Sequence, residues 1–203
     1  MSDNITLAMT GASGAIYGIR LLEQLLLAGK TVHFLLSKPA RLVIKMELGL
    51  SLPSRAKDLK AQLVEQYATQ TERLHVYDLE QWTAPIASGS SVSRAMVICP
   101  CTSGSLASIA NGLSRNLIER AADVSLKERK QLILVHRETP LSPIHLQNML
   151  TLSQAGAVIL PASPAFYNQP KTIQDVTDTV VARILDHLTI EHQLLPRWGE
   201  HAE

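Results

Sequence analysis

Two segments of this sequence bring hydroxyls and backbone donors together directly after a short apolar run. Thr10-Gly11-Ala12-Ser13-Gly14 follows Ile5 to Met9, and Pro100-Cys101-Thr102-Ser103-Gly104-Ser105 follows Ala95 to Cys99. Each opens a helical pattern, so glycines free the turn while helix N–H groups and hydroxyls face whatever sits there. That suits an anion, a phosphate monoester or a cofactor. A helix cap needs only one of these groups, so either segment alone also reads as an ordinary cap. The glycines at 11, 14 and 18 miss the G-x-G-x-x-G spacing of dinucleotide sites, and the second apolar run ends in Ser37 where a ribose-binding acid would stand. NAD is thereby disfavoured and a flavin mononucleotide favoured.

Positive charge is the second ingredient. Arg120 and Lys127 are seven residues apart and share a helix face, Arg137-Glu138 follows the run Leu132 to His136, and Arg183 stands in the apolar stretch Val180 to Leu185. An Arg among apolar neighbours needs an anionic partner, because an unpaired buried charge is costly. Taken singly, Lys127, Arg137 and Arg183 each read equally as surface or ion-pair residues. Cys101 has no His in a partner motif and reads as a small buried filler rather than a nucleophile. Seven histidines show no metal-ligand spacing and no D-D-x-x-D run is present, so neither a metal nor chemistry on a diphosphate is signalled.

These residues need a scaffold. Apolar runs at Ile5 to Met9, Val32 to Leu36, Ala95 to Cys99, Leu132 to His136 and Ala157 to Leu160 predict strands. Helical patterns lie at Ile16 to Ala28, Pro39 to Leu48, Arg55 to Gln70, Ser105 to Ala110, Asn116 to Lys127, Ile144 to Ala155 and Ile173 to Leu188. This alternation predicts an α/β fold, a doubly wound parallel sheet covered on both faces. The ligand crevice then lies outside the carboxyl ends of the strands, at Thr10 to Gly14, Ser37 to Ala40, Pro100 to Ser105, Arg137 to Ser142 and Pro161 to Pro170. Gln81 to Arg94 is a turn-rich loop longer than a connection requires.

A length of 203 residues predicts a single domain, and 46% hydrophobic against 18% charged residues leaves no case for disorder. Lys plus Arg (19) nearly cancels Asp plus Glu (18), so no general field steers the protein toward nucleic acid or an anionic membrane. Cys99 and Cys101, separated only by Pro100, cannot easily meet disulfide geometry, which predicts a reduced, cytoplasmic setting. The first basic residue is Arg20 and no apolar run reaches a membrane span, so neither a signal peptide nor insertion is expected.

Together Thr10 to Gly18, Phe34 to Lys38, Ser88 to Ser91, Met96 to Cys101, Leu117 to Val124, Leu126 to Arg129, Arg137 to Pro140, Gly156 to Pro161, Phe166 to Pro170 and Leu195 to Gly199 resemble the UbiX-type flavin prenyltransferases over nearly the whole chain. The resemblance implies a three-layer Rossmann-like (flavodoxin-like) single domain over residues 1–203, with a C-terminal extension, 189–203, closing over the site. It implies transfer of a dimethylallyl group from dimethylallyl monophosphate to N5 and C6 of reduced FMN without metal. The product, prenylated FMN, would serve a UbiD-type decarboxylase, as in ubiquinone synthesis. It also implies a homododecamer with the site at a subunit junction. FMN contacts carry over to Gly11, Ala12, Ser13, Ser37, Thr102, Ser103, Gly104, Ser105 and Arg137. Prenyl-phosphate contacts carry over to Lys127, Arg137, Glu138, Tyr167 and Arg183, with Arg120 beside them and Ser90 and Ser91 lining the shared cavity.

In the implied chemistry, Lys127, Arg137 and Arg183 neutralise the departing phosphate and Tyr167 donates a hydrogen bond. Glu138 holds or relays a proton as a general acid, on condition that its surroundings raise its pKa. Trp198 stabilises the allylic cation through its π face, and Ser13 and Glu47 move the protons that ring closure releases. Without the resemblance, Glu47 reads as solvated surface. Two rivals are a flavin-dependent decarboxylase of the cysteine-decarboxylase group, whose Pro-Ala-Ser-Ala-Asn-Thr stretch is absent here, and a non-catalytic FMN carrier, which would need no cation cluster.

Overall fold

The structure, a computed structural model, describes residues 3–196. Among them are six strands, β1 (Asn4–Met9), β2 (Thr31–Leu36), β3 (Leu74–Tyr77), β4 (Ala95–Cys101), β5 (Gln131–His136) and β6 (Val158–Ile159). The helices are α1 (Ala15–Leu27), α2 (Lys38–Leu48), α3 (Ala56–Gln66), α4 (Ser103–Ala110), α5 (Leu117–Lys127), α6 (Pro143–Gln154) and α7 (Ile173–His187). The strands form one parallel sheet in the order β3-β2-β1-β4-β5-β6. This is the Rossmann order, with its switch point between β1 and β4.

Side-chain alternation divides the core into two layers. Leu7, Met9, Phe34, Val97 and Val135 pack on one face with Leu22 of α1 and Val181 of α7. Ala8, Leu35, Ile98 and Leu134 pack on the other with Leu106 of α4 and Ile118 of α5. Gly18 of α1 rides directly on β4, where any Cβ would collide with the Cys99 carbonyl and Met9.

Several predicted boundaries shift. Strand β3 is absent from the expectation because Leu-His-Val-Tyr is short, half polar and at the sheet edge, where one side needs no apolar run. Helix α3 starts after Arg55 and stops at Gln66, and Ala68 turns at φ 45°, ending a pattern read as far as Gln70. Helix α4 begins two residues before Ser105, because Thr102 caps it. The loop from 81 to 94 contains two 3₁₀ turns, Pro85–Ala87 and Gly89–Ser91.

Candidate functional site

The crevice at the switch point is held by Thr10. Its buried hydroxyl donates to the Pro100 carbonyl at 2.8 Å and accepts from the Thr102 N–H at 2.8 Å, tying the loop after β1 to the loop after β4. A cavity of about 190 Å³ there is lined by Thr10, Gly11, Ser37, Thr102, Ser105 and Asn116, among others. Gly11 is required in it, since a Cβ would collide with Pro39.

Much of the polar set is committed within the chain. Ser37 Oγ caps α2 through the Ala40 N–H at 3.1 Å. Thr102 Oγ1 caps α4 through the Ser105 N–H at 3.1 Å and donates to Ser105 Oγ at 3.0 Å. The Ser103 and Gly104 N–H groups are in the first turn, which lacks intrahelical acceptors. Hydroxyls, a side-chain-free stretch and helix N–H donors fit the phosphate and ribityl parts of FMN.

Helix α1 differs from the expectation. The Glu47 carboxylate occupies its N-terminus, accepting from the Gly14 N–H at 3.0 Å and the Ala15 N–H at 2.8 Å. The anion foreseen for those donors is therefore supplied by the chain itself, and exposed Glu47 is an anchored group rather than idle surface. Gly14, at φ 99°, provides the left-handed turn that presents both N–H groups. Ser13 is exposed beside buried Ala12, and its carbonyl accepts from Arg137 Nε at 3.1 Å, joining the flavin-side and phosphate-side candidates.

Glu138 is corrected in one respect. Hydrogen bonds from Ser103 Oγ at 3.0 Å and from the Thr139 N–H, with Arg137 nearby, hold its carboxyl below the usual range rather than raising it. The condition for a proton-donating Glu138 is not met here; it stands as a carboxylate. His136, which the sequence reading passed over, lies beneath Ser103 with Nε2 at 3.1 Å from Oγ. Its place as the last strand residue before Arg137-Glu138 was the available signal.

The remaining candidates do not converge on this crevice within one chain. Leu117 N–H bonds to the Leu79 carbonyl beside the crevice, but α5 then descends about 15 Å over its 11 residues. Lys127 thus lies near the start of β5, whose first residue, Gln131, pairs with the first of β4. It pairs with Glu128 there, and Gly89 packs against both, so the Ser90 and Ser91 loop sits at the opposite end of the sheet. Arg120 bonds the Ala87 carbonyl at 3.1 Å and Asp123 at 2.9 Å, holding that loop.

Tyr167 and Arg183 line a third place, a cavity of about 350 Å³ with Asp186, His192, Leu195 and Pro196. Arg183 is exposed rather than embedded and pairs with Asp186 at 2.7 Å, because its apolar neighbours in sequence point to the other side of α7. His192 reaches Asp186 at 3.2 Å. Trp198 lies outside the described residues. Cys99 and Cys101 are buried free thiols, and burial pushes Cys101 up to about 12, which removes any nucleophilic role.

The switch-point crevice with its hydroxyl-rich turns defines a flavin-binding α/β protein, and the sequence profile of the Flavoprotein family matches residues 1–185. The chain is 54% identical over 198 residues to flavin prenyltransferase UbiX of Pseudomonas aeruginosa, covering 98% of this chain and 95% of that one. A crystallised UbiX in complex with FMN and dimethylallyl pyrophosphate superposes with a TM-score of 0.87 at 38% identity, covering 100% of both chains. A dodecameric FMN-dependent UbiX-like decarboxylase from Escherichia coli O157:H7 gives a TM-score of 0.84 at 39% identity, covering 97% of this chain and 99% of that one. The chain belongs to the UbiX family of flavin prenyltransferases.

Proposed function

We propose that this protein transfers a dimethylallyl group from dimethylallyl monophosphate to reduced FMN, and that it does so as a homo-oligomer, a dodecamer, in the cytoplasm. The observation that carries the reading is the Arg137 contact to the Ser13 carbonyl at 3.1 Å, which sets phosphate-binding charge against the turn fitted to the flavin. Reduced FMN supplies N5 and C6, the two ring positions that take the prenyl carbons. Thr102, Ser105 and the first-turn N–H groups of α4 hold its polar chain, and Gly11 and Ala12 leave room beside it.

Arg137, Lys127 and Arg183 neutralise the leaving phosphate, whose departure needs charge more than covalent help. Tyr167 donates a hydrogen bond to it, and the Glu138 carboxylate accepts a hydrogen bond from the phosphate hydroxyl and so orients the group. Glu47 and Ser13, on the α1 turn, take the protons released by ring closure. Trp198 is assigned to the allylic cation, and 189–203 to the cover of the site.

Assembly follows from the scatter of these groups. Pockets for drug-sized ligands run about 300–1,000 Å³, so the crevice of one chain, at about 190 Å³, holds only part of FMN. Met46 of α2 and Ile144 of α6 are 76% and 71% exposed, large apolar groups suited to cover by other copies. Lys127 and Arg183 then reach a neighbour's Arg137. The UbiD-type decarboxylase is assigned as recipient of the product.

Anaerobic mixing of the full chain with reduced FMN and dimethylallyl monophosphate raises the flavin mass by about 68 Da, one C5H8 unit. An unchanged mass overturns the reading. Neither rival fits as well, since the carrier needs none of Lys127, Arg137, Tyr167 and Arg183, and this chain lacks the decarboxylase group's substrate stretch.

A further inference from the structure

His136 ends β5 with 2% of its surface exposed and has no task in the reading above. Its Nε2 lies 3.1 Å from Ser103 Oγ, and that hydroxyl lies 3.0 Å from Glu138 Oε2. An ionised carboxylate only accepts, so the single hydroxyl proton of Ser103 points to Glu138. Nε2 must therefore carry the proton in the other bond, which fixes the imidazole tautomer and makes the bonds run from His136 through Ser103 to Glu138.

We propose that His136 is a positioning residue for prenyl transfer, orienting the Glu138 carboxylate through the Ser103 hydroxyl. Three elements build this chain: β5 supplies His136 and leads into Glu138, the first turn of α4 supplies Ser103, and α6 supplies His145 behind the imidazole. The two rings are 6.2 Å apart and tilted at 60°, and His145 is itself pinned by accepting the Ser142 N–H at Nδ1, 3.2 Å away. The charged and titratable groups facing His136 are His145 from α6 and Glu138 and Arg137 from the end of β5, while α4 offers only the hydroxyl. Burial first, then His145, lower the His136 pKa, so the ring stays neutral with its donor in place. A neutral donor can direct a hydroxyl at a carboxylate without competing with Arg137 for the phosphate.

The inference rests on the reading of Glu138 as the group facing the phosphate hydroxyl. It is tested with His136→Leu, His136→Gln, Ser103→Ala and Glu138→Gln, measuring prenylated flavin over about pH 4 to 8 with FMN binding in parallel. His136→Leu and Ser103→Ala lower kcat about tenfold, the weight of one hydrogen bond to a charged group, and His136→Leu leaves KM for FMN within about twofold. The acidic limb of Ser103→Ala moves to higher pH, because Glu138 loses the donor that lowers its pKa, and that of His136→Leu moves the same way by less, since Ser103 stays but is no longer aimed. His136→Gln, whose amide restores an N–H, recovers most of the rate, and His136→Leu adds nothing in a Glu138→Gln background. If His136→Leu does not fold, Ser103→Ala decides the same link from the other side. An inactive Glu138→Gln beside an unaltered His136→Leu or Ser103→Ala overturns the positioning role alone. A fully active Glu138→Gln overturns the role of Glu138 and the proposal with it.

Discussion

Polar groups at the crevice and cations on the helix surfaces are held in opposite ways. At the crevice the bonds span the sequence: Thr10 to Pro100 and Thr102, Glu47 to Gly14 and Ala15, Arg137 to Ser13, Ser103 to Glu138. On α5 and α7 each cation is held by a carboxylate one or three residues away, Lys127 by Glu128, Arg120 by Asp123 and Arg183 by Asp186. Long-range bonds exist only once the sheet has assembled, so they fix the shape of the crevice before any ligand arrives. Local ion pairs near the surface contribute about 0–1 kcal/mol and exchange readily, so an arriving anion can displace the carboxylate. One region is clasped across the fold and the other is held within single helices.

The largest effect separates them directly. Arg183→Ala and Lys127→Ala are each expected to lower prenyl transfer by about 10²–10³-fold, the range for removing one charge-stabilising group, with FMN affinity unchanged. Steady-state flavin prenylation and FMN titration on the same samples check this, and loss of FMN binding would put these cations inside the crevice. Next comes Thr10→Val, which strands a partly buried Thr102 N–H and removes the bond to Pro100. Stability is expected to fall by about 2 kcal/mol in urea unfolding, with weaker FMN binding, whereas an unchanged midpoint would deny that the crevice is clasped there.

The fold was legible because the core strands are unbroken apolar runs, and β1, β2 and β5 lie within a residue of where those runs predict them. Strand β3 was not, since an edge strand with His75 and Tyr77 needs no such run. At the site, residue types and motif order named candidate side chains, but not which of them meet. That Glu47 reaches back 32 residues to cap α1, or that Ser103 lies between His136 and Glu138, depends on how three strand ends come level. Periodicity places residues along an element and is silent on the neighbour across the crevice. The condition on the Glu138 pKa fails for the same reason: its donors come from α4 and from the next backbone N–H, neither visible as charge in the sequence.

Smaller effects test the boundary between the two regions. Glu47→Gln keeps an acceptor at the α1 N-terminus but loses the charge, which costs about 0.3–1 kcal/mol. Both substrates still bind, and turnover falls at least about tenfold if Glu47 also takes a proton. Full turnover with only the small stability loss would reduce Glu47 to a cap.

The smallest expected effect is that of Asp186→Asn, and it bears most closely on the contrast. Asp186 pairs with Arg183 across one helical turn, both groups largely in water, and touches His192 at 3.2 Å with its other oxygen. If the carboxylate merely waits with the guanidinium, removing its charge changes stability by less than about 0.5 kcal/mol. It also frees Arg183, so KM for dimethylallyl monophosphate falls by about twofold with kcat unchanged, because uniform binding is all that improves. A tenfold rise in KM would show instead that Asp186 aims Arg183, and the surface cations would then be as firmly built as the crevice.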